Sequence, residues 1–335
     1  MGTAGEFLVD LAERLTLDCA PATVRAMLEV ACGGQLKARR PDGSPASLLT
    51  RSGIPFEASV TGGCGKFTPA LRYTTETATQ EMELGIRVAA QLAAIRDLVR
   101  WLPNGDETVV DIFRSFVSTL YPDPARIPTR DATWTGVVHH TATPHHAARI
   151  KMYGSVKVVP GTLQRLCSTW PGFAGLAQVP AEEKLITPSF AAIEVDAHGN
   201  VNHKLYLKTR HDDVSVPMKL VRYFGDPAWE VLSELVRCGT DAAELHRYGF
   251  FVCCVRGEGA PEFSLHVGTE HDELAELVRE LASRHHGTTH AVDALAKAAE
   301  SCGASWRYTW VGLGFSPDHG IDKLNVYGTP TWSAA

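Results

Sequence analysis

The chain has 335 residues, 44% of them hydrophobic and 21% charged, and carries a net charge of −6. That composition excludes long disordered tracts and gives enough material for one large domain or two modest ones. The acidic balance offers no general attraction for nucleic acid or an anionic membrane, so any anion bound must be held by a local cluster.

The opening MGTAGEFLVDLAERL is amphipathic with acids rather than basic and then apolar. No run of about eighteen apolar residues follows, so a cytoplasmic location is expected. Leu8, Leu11 and Leu15, then Val24, Met27 and Leu28, mark two N-terminal helices within residues 5–33. PFEASV and ALRYTTE, separated by TGGCGKFTP, read as a first β-hairpin over 55–76. Helices are predicted over Thr79 to Trp101, with Met82, Ile86, Ala89 and Ala93 as an apolar stripe, and over Glu107 to Leu120.

The second hairpin pairs TWTGVV with RIKMYGSVKV (133–158), and a helix follows from Gly161 to Ser168. SFAAIEV, DAHGN and VNHKLYLKT (189–209) make the third, with the clearest turn of the set, before a helix from Pro227 to Arg237. YGFFVCCV, RGEGAP and EFSLHVG (248–268) make the fourth, followed by helices over Glu270 to Ser283 and His290 to Cys302. WRYTWVGLGF, SPDHG and IDKLNVYG (306–328) make the fifth.

Ten antiparallel strands with helices between the hairpins can bury both sheet faces only by closing. The expected fold class is therefore α+β, a closed ten-stranded antiparallel barrel (53–328) surrounded by helices, in a single domain. A parallel barrel fits worse, because short turns cannot join parallel neighbours. No Gly-rich phosphate loop follows a strand, which disfavours nucleotide-binding folds. A ten-stranded barrel is too wide for side chains to fill, so the lumen should hold a ligand.

Residues two apart on a strand share a face. One face of each second hairpin strand then carries Arg72, Thr74 and Glu76; Arg149, Lys151 and Tyr153; Asn202, Lys204 and Tyr206; Ser264 and His266; Lys323, Asn325 and Tyr327. If these faces point inward, the unpaired cations require a bound polyanion such as diphosphate. If they point outward they are an ordinary solvated surface. In both cases Ile150, Met152, Leu205 and Val326 pack against the helices.

Eight scattered cysteines form no C-x-x-C pair, so they are expected to be reduced and mostly buried. The tract HHTATPHH (139–146) lacks H-E-x-x-H spacing and is expected to be a solvated loop rather than a metal site.

In order and spacing, GIPFEASV, ALRYTTE, IKMYGSV, AAIEVDAHGNVNHKLYL, EFSLHVG and DKLNVYG resemble the aromatic prenyltransferases of the ABBA type, specifically the bacterial dimethylallyltryptophan synthase branch. The resemblance runs over residues 53–328. It implies a closed ten-stranded barrel of α-β-β-α repeats that moves a prenyl group from dimethylallyl or geranyl diphosphate to an aromatic acceptor. The acceptor it suggests is the indole of tryptophan, a cyclic dipeptide or a tryptophan-containing peptide.

Carried across, Glu57 resembles the glutamate that accepts the indole N–H, and Arg72, Lys151 and Lys204, with Arg149 and Lys323 beside them, resemble the diphosphate grip. Tyr153, Tyr206 and Tyr327, with His266, resemble the shield around the allylic group. Asn202 stands where the family often has a third basic residue, and Ser264 and His266 where glutamine and tyrosine are common. Trp310, Tyr308, Trp134 and Trp306 are candidate walls for the acceptor, and His140 and His266 candidate proton acceptors. No D-D-x-x-D motif is present, and RHDDVSV (210–216) has only two adjacent acids. No cofactor is therefore expected to be strictly required, with Mg²⁺ at most a stimulant. The partners expected are the donor and a small-molecule or peptide acceptor, with no nucleic acid or membrane, for a monomer or weak dimer. A phenol acceptor, a non-catalytic carrier barrel for an amphipathic anion, and a single-stranded nucleic-acid platform are the competing readings.

Overall fold

The computed structural model describes residues 2–34, 36–124, 127, 130–177, 185–256, 262–268 and 274–332. Ten strands run through it: β1 (Phe56–Gly63), β2 (Lys66–Glu76), β3 (Trp134–His140), β4 (Arg149–Ser155), β5 (Ile186–Asp196), β6 (Val201–Thr209), β7 (Gly249–Arg256), β8 (Glu262–Gly268), β9 (Ala304–Ser316) and β10 (Gly320–Trp332). Each pairs antiparallel with its sequence neighbours, and β1 pairs with β10, so the sheet is a closed barrel. Closure removes both sheet edges, which an open ten-stranded sheet would leave unpaired.

The helices are α1 (Gly2–Arg14), α2 (Pro21–Ala31), α3 (Leu84–Val99), α4 (Glu107–Leu120), α5 (Thr162–Thr169), α6 (Val216–Phe224), α7 (Asp226–Arg237), α8 (Leu274–His285) and α9 (His290–Ser301). They cover the outward faces of the strands. Phe56, Leu71, Ile150, Leu205 and Val326 are buried in that outer layer, as the two-residue period requires. Phe7 of α1 stacks on Trp306 at 5.5 Å and meets Phe56 edge-on. Glu76 at the end of β2 forms a fully buried ion pair with Arg87 of α3 and accepts from Ser47 Oγ at 2.6 Å and Leu48 N at 2.7 Å, which ties the 47–48 loop to the barrel.

Several expectations are corrected. Strand pairing continues through most of the expected TGGCGKFTP turn and leaves only Cys64 and Gly65 between β1 and β2, with Gly65 at φ 71°. Helix α3 starts at Leu84 rather than Thr79, because Ala78 is left-handed and Glu83 extended. Its apolar stripe of Met82, Ile86, Ala89 and Ala93 faces solvent, and the buried face is Leu84, Arg87, Val88, Gln91, Ile95 and Leu98. The alanine-rich helix is apolar on both sides, and the polar pair Arg87 and Gln91 chooses the inner one by bonding Glu76 and the Trp134 carbonyl. Helix α6 has only Val216 and Leu220 fully buried, a stripe too short to read from periodicity. Residues 257–261 of the fourth turn and 270–273 of the helix expected from Glu270 lie outside the described residues. His139 is not in a solvated loop: it lies within β3, fully buried, with its ring 5.7 Å from Tyr73 and its pKa pushed down by burial to about 4.

Candidate active site: the barrel lumen

A cavity of about 680 Å³ opens at the hairpin end of the barrel, rimmed by Cys64, Thr143 and His198 and reaching down to Tyr206, His266 and Tyr327. The parity argument holds: Arg72, Arg149, Lys151, Lys204 and Lys323 all line it, with Ser264 and Asn325 between them. Arg72 donates to Asn325 Oδ1 at 2.6 Å. Arg149 sits near the mouth with half its side chain exposed.

Sequence reasoning passed over the anion in this cluster. Glu194 on β5 is almost fully buried, with Lys204 Nζ at 3.1 Å and an Arg149 Nη at 3.6 Å. Burial alone would push its carboxyl up; the charges of Lys204, Lys151 and Arg149 overcome that and hold it well below the usual carboxylate range. Its signal was available in AAIEVD, where Ala192, Glu194 and Asp196 share the inward parity. Cys253, another lining residue, is one of eight cysteines, none of them in a disulfide.

Beneath the cations lies a ring layer. Tyr153 and Tyr206 are 5.8 Å apart, Tyr206 and His266 6.1 Å, and His266 and Tyr327 5.7 Å, an arc that runs from β4 round to β10. Lys151 reaches into it, donating to the Tyr206 hydroxyl at 2.6 Å with its ammonium 4.2 Å from the Tyr153 ring centroid. Burial lowers the Lys151 ammonium to about 8. It also raises the Tyr153 phenol to about 12, so that ring is neutral near neutral pH. His266 is lowered to about 3, by burial first and then by Lys151, Lys204, Lys323 and Arg72, so its imidazole is neutral and within 3.3 Å of Ser264 Oγ. Gly312 makes room for it, since a Cβ there would fall 2.7 Å from its Nδ1.

Deeper still is an apolar layer. Trp134 packs on Phe190 at 4.5 Å, Phe190 on Phe251 at 6.3 Å, and Phe251 on Trp310 at 5.1 Å. Trp134 and Trp310 thus stand on the inward faces of β3 and β9, in the aromatic layer below the cavity. Tyr308 and Trp306 do not: Tyr308 donates to the Val292 carbonyl of α9, and Trp306 stacks under α1, so both belong to the outer packing. The reason is a β-bulge. Tyr327 pairs with Trp310 and Gly328 with Tyr308, which leaves Thr309 as the extra residue. Its hydroxyl donates to Glu57 Oε1 at 2.6 Å. Glu57 itself stands two residues deeper along β1 than Ser59, the partner of Tyr327, and burial raises its carboxyl to about 7.

Cations over neutral tyrosines over an apolar floor, inside a closed ten-stranded barrel, define a lumen for a ligand with an anionic head and a π-seeking body. The barrel is that of the ABBA prenyltransferases. The 5-dimethylallyltryptophan synthase of Streptomyces coelicolor, solved with DMASPP and Trp, superposes with a TM-score of 0.70 at 18% identity over 98% of this chain and 94% of that one. The 6-dimethylallyltryptophan synthase of Micromonospora olivasterospora, solved with the same pair, gives 0.66 at 18% identity over 97% and 95%. Prenyltransferase PriB, solved as a ternary complex with L-tryptophan and dimethylallyl thiolodiphosphate, gives 0.69 at 16% identity over 99% and 98%. The likeness is one of fold. No protein-family model matches the chain, and no curated protein matches it in sequence.

Proposed function

We propose that the protein is an aromatic prenyltransferase that moves a prenyl group from an allylic diphosphate to an aromatic acceptor, with the indole of tryptophan preferred. The observation that carries this reading is the stacking order in the lumen: the cations sit directly above the ring layer of Tyr153, Tyr206, His266 and Tyr327. Ionising an allylic diphosphate breaks a C–O bond, leaving negative charge on the diphosphate and positive charge on the allyl group. Arg72, Arg149, Lys204 and Lys323 can hold the first, and each tyrosine face can favour the second by about 0.5 to 2 kcal/mol. The same rings keep water from the cation. The acceptor ring carbon then bonds to the allyl carbon and gives up its proton, for which neutral His266 is a cavity-facing acceptor.

Glu57 supports an indole over a phenol. As a carboxylate it accepts the ring N–H, orients the indole and raises its electron density, and a phenol has no N–H to offer. The number and layering of the cations weigh against a simple carrier, for which one arginine would hold one carboxylate.

Mass spectrometry of the protein with dimethylallyl and geranyl diphosphate against tryptophan, cyclic dipeptides, short peptides and phenols tests the proposal. A product heavier by one prenyl group, reduced at least about tenfold in rate by Lys204→Ala, is expected. Saturable diphosphate binding with no product from any acceptor would return the barrel to the carrier reading.

A further inference from the structure

A buried anion stands among the lumen cations. Glu194 on β5 is the lateral partner of Lys151 on β4 and of Asn202 on β6, and its carboxylate lies 3.1 Å from Lys204 Nζ and 3.6 Å from an Arg149 Nη. It lines the same cavity as those cations with only 4% of its surface exposed. Asp196, the next inward residue of β5, is engaged elsewhere: it is held in the DAHGN turn, accepting from His198 N at 2.8 Å and from Asn200 N and Nδ2 at 3.0 Å each.

A buried ammonium without an anion is unfavourable, and Lys204 has only 14% of its side chain exposed. Glu194 keeps Lys204 and Arg149 paired when no diphosphate is bound. The same two cations belong to the diphosphate grip. Two anions that share one ammonium stand within about 6 Å of each other, since each contact is about 3 Å long. At that separation, in a lumen walled by protein, they repel strongly. The charges of Lys204, Lys151 and Arg149 keep Glu194 ionised despite its burial, so it meets an incoming diphosphate as an anion.

The repulsion grows as the reaction proceeds. When the C–O bond of the donor breaks, the bonding pair stays on the diphosphate oxygen, and the diphosphate gains a unit of negative charge. Glu194 therefore disfavours the product diphosphate more than the donor. We infer that Glu194 is an internal competitor of the diphosphate, which holds Lys204 and Arg149 between turnovers and speeds release of the spent diphosphate by repelling it. The same repulsion opposes bond breaking, so the residue exchanges some speed of the chemical step for faster clearance. The inference rests on the reading of the lumen as a prenyl-transfer site, and adds how that site empties.

Calorimetric titration of inorganic diphosphate into the full chain tests the competitor without turnover. Glu194→Gln keeps the side chain's size and an oxygen for Lys204, and should bind diphosphate at least about tenfold more tightly than wild type, with a smaller gain of about threefold for inorganic phosphate. A damaged fold does not produce a gain of affinity. Glu194→Ala should also tighten diphosphate binding, which covers the case in which Glu194→Gln fails to fold. In turnover, Glu194→Gln should give a burst of about one product per chain and then a slower steady state, with inorganic diphosphate a stronger inhibitor than in wild type.

Unchanged or weaker diphosphate binding in both variants would overturn the role of Glu194 and leave the prenyl-transfer reading in place. Tighter binding without a burst, at an unaltered steady-state rate, would overturn the part in product release. Tighter binding with no prenyl product from any donor would leave the competitor standing and overturn the prenyl-transfer reading. Diphosphate failing to bind wild type and variants alike would overturn both.

Discussion

Burial raises the Glu57 carboxyl to about 7, and its ionised form accepts an N–H far more strongly than the protonated acid does. Transfer to an indole should therefore rise as pH increases through 7. Glu57→Gln should cut that rate by about 10² while a phenol acceptor loses far less; equal losses would remove the case for an indole. Stability moves the other way. The unfolded carboxyl titrates near about 4.3 and the folded one higher, so between those values the folded state binds more protons and loses stability as pH rises, by about 4 kcal/mol at most. Denaturant unfolding of wild type and Glu57→Gln at pH 5 and pH 8 should reveal the loss in wild type alone.

Strand geometry does for elements what burial does for side chains. Alternation along β2, β4, β6 and β10 sends Arg72, Lys151, Lys204 and Lys323 inward, and one bulge on β9 turns Thr309 to Glu57. Gly312 on β9 is the empty place into which the His266 ring fits. Gly312→Ala should displace that ring, slow transfer by about tenfold and cost about 1 to 3 kcal/mol of stability. Gly175→Ala, whose added Cβ meets nothing within 4 Å, is the control and should leave both unchanged. Thermal melts and kcat of the two variants, side by side, decide whether the ring's position matters; an unaltered kcat in Gly312→Ala would remove His266 from the site.

At the scale of the whole molecule, a chain of net charge −6 gathers five cations around one cavity. Those fixed charges can stabilise a leaving diphosphate in the way a metal would. Prenyl transfer should therefore persist in EDTA at no less than about half its rate, and abolition by EDTA with recovery on Mg²⁺ would overturn that view. Among the described residues no helix is long and apolar enough to cross a membrane.

Local rules were enough for the strands. Two-residue alternation and hairpin turns such as DAHGN determined the ten strands and which cations share a face with which tyrosines, because a strand's period is fixed by its backbone; that this face points inward is decided by the closed barrel. They did not determine which face of α3 is buried, since alanine makes both sides apolar and the partners Glu76 and the Trp134 carbonyl come from distant strands. Nor did they place Tyr308 outside and Thr309 inside, because a bulge appears only when β9 is laid against β10. Glu194, buried against Lys204 and Arg149, and Lys151, whose ammonium meets the Tyr206 hydroxyl, depend on the lateral pairing of β4, β5 and β6. Each meets its partners at distances that only the folded structure sets.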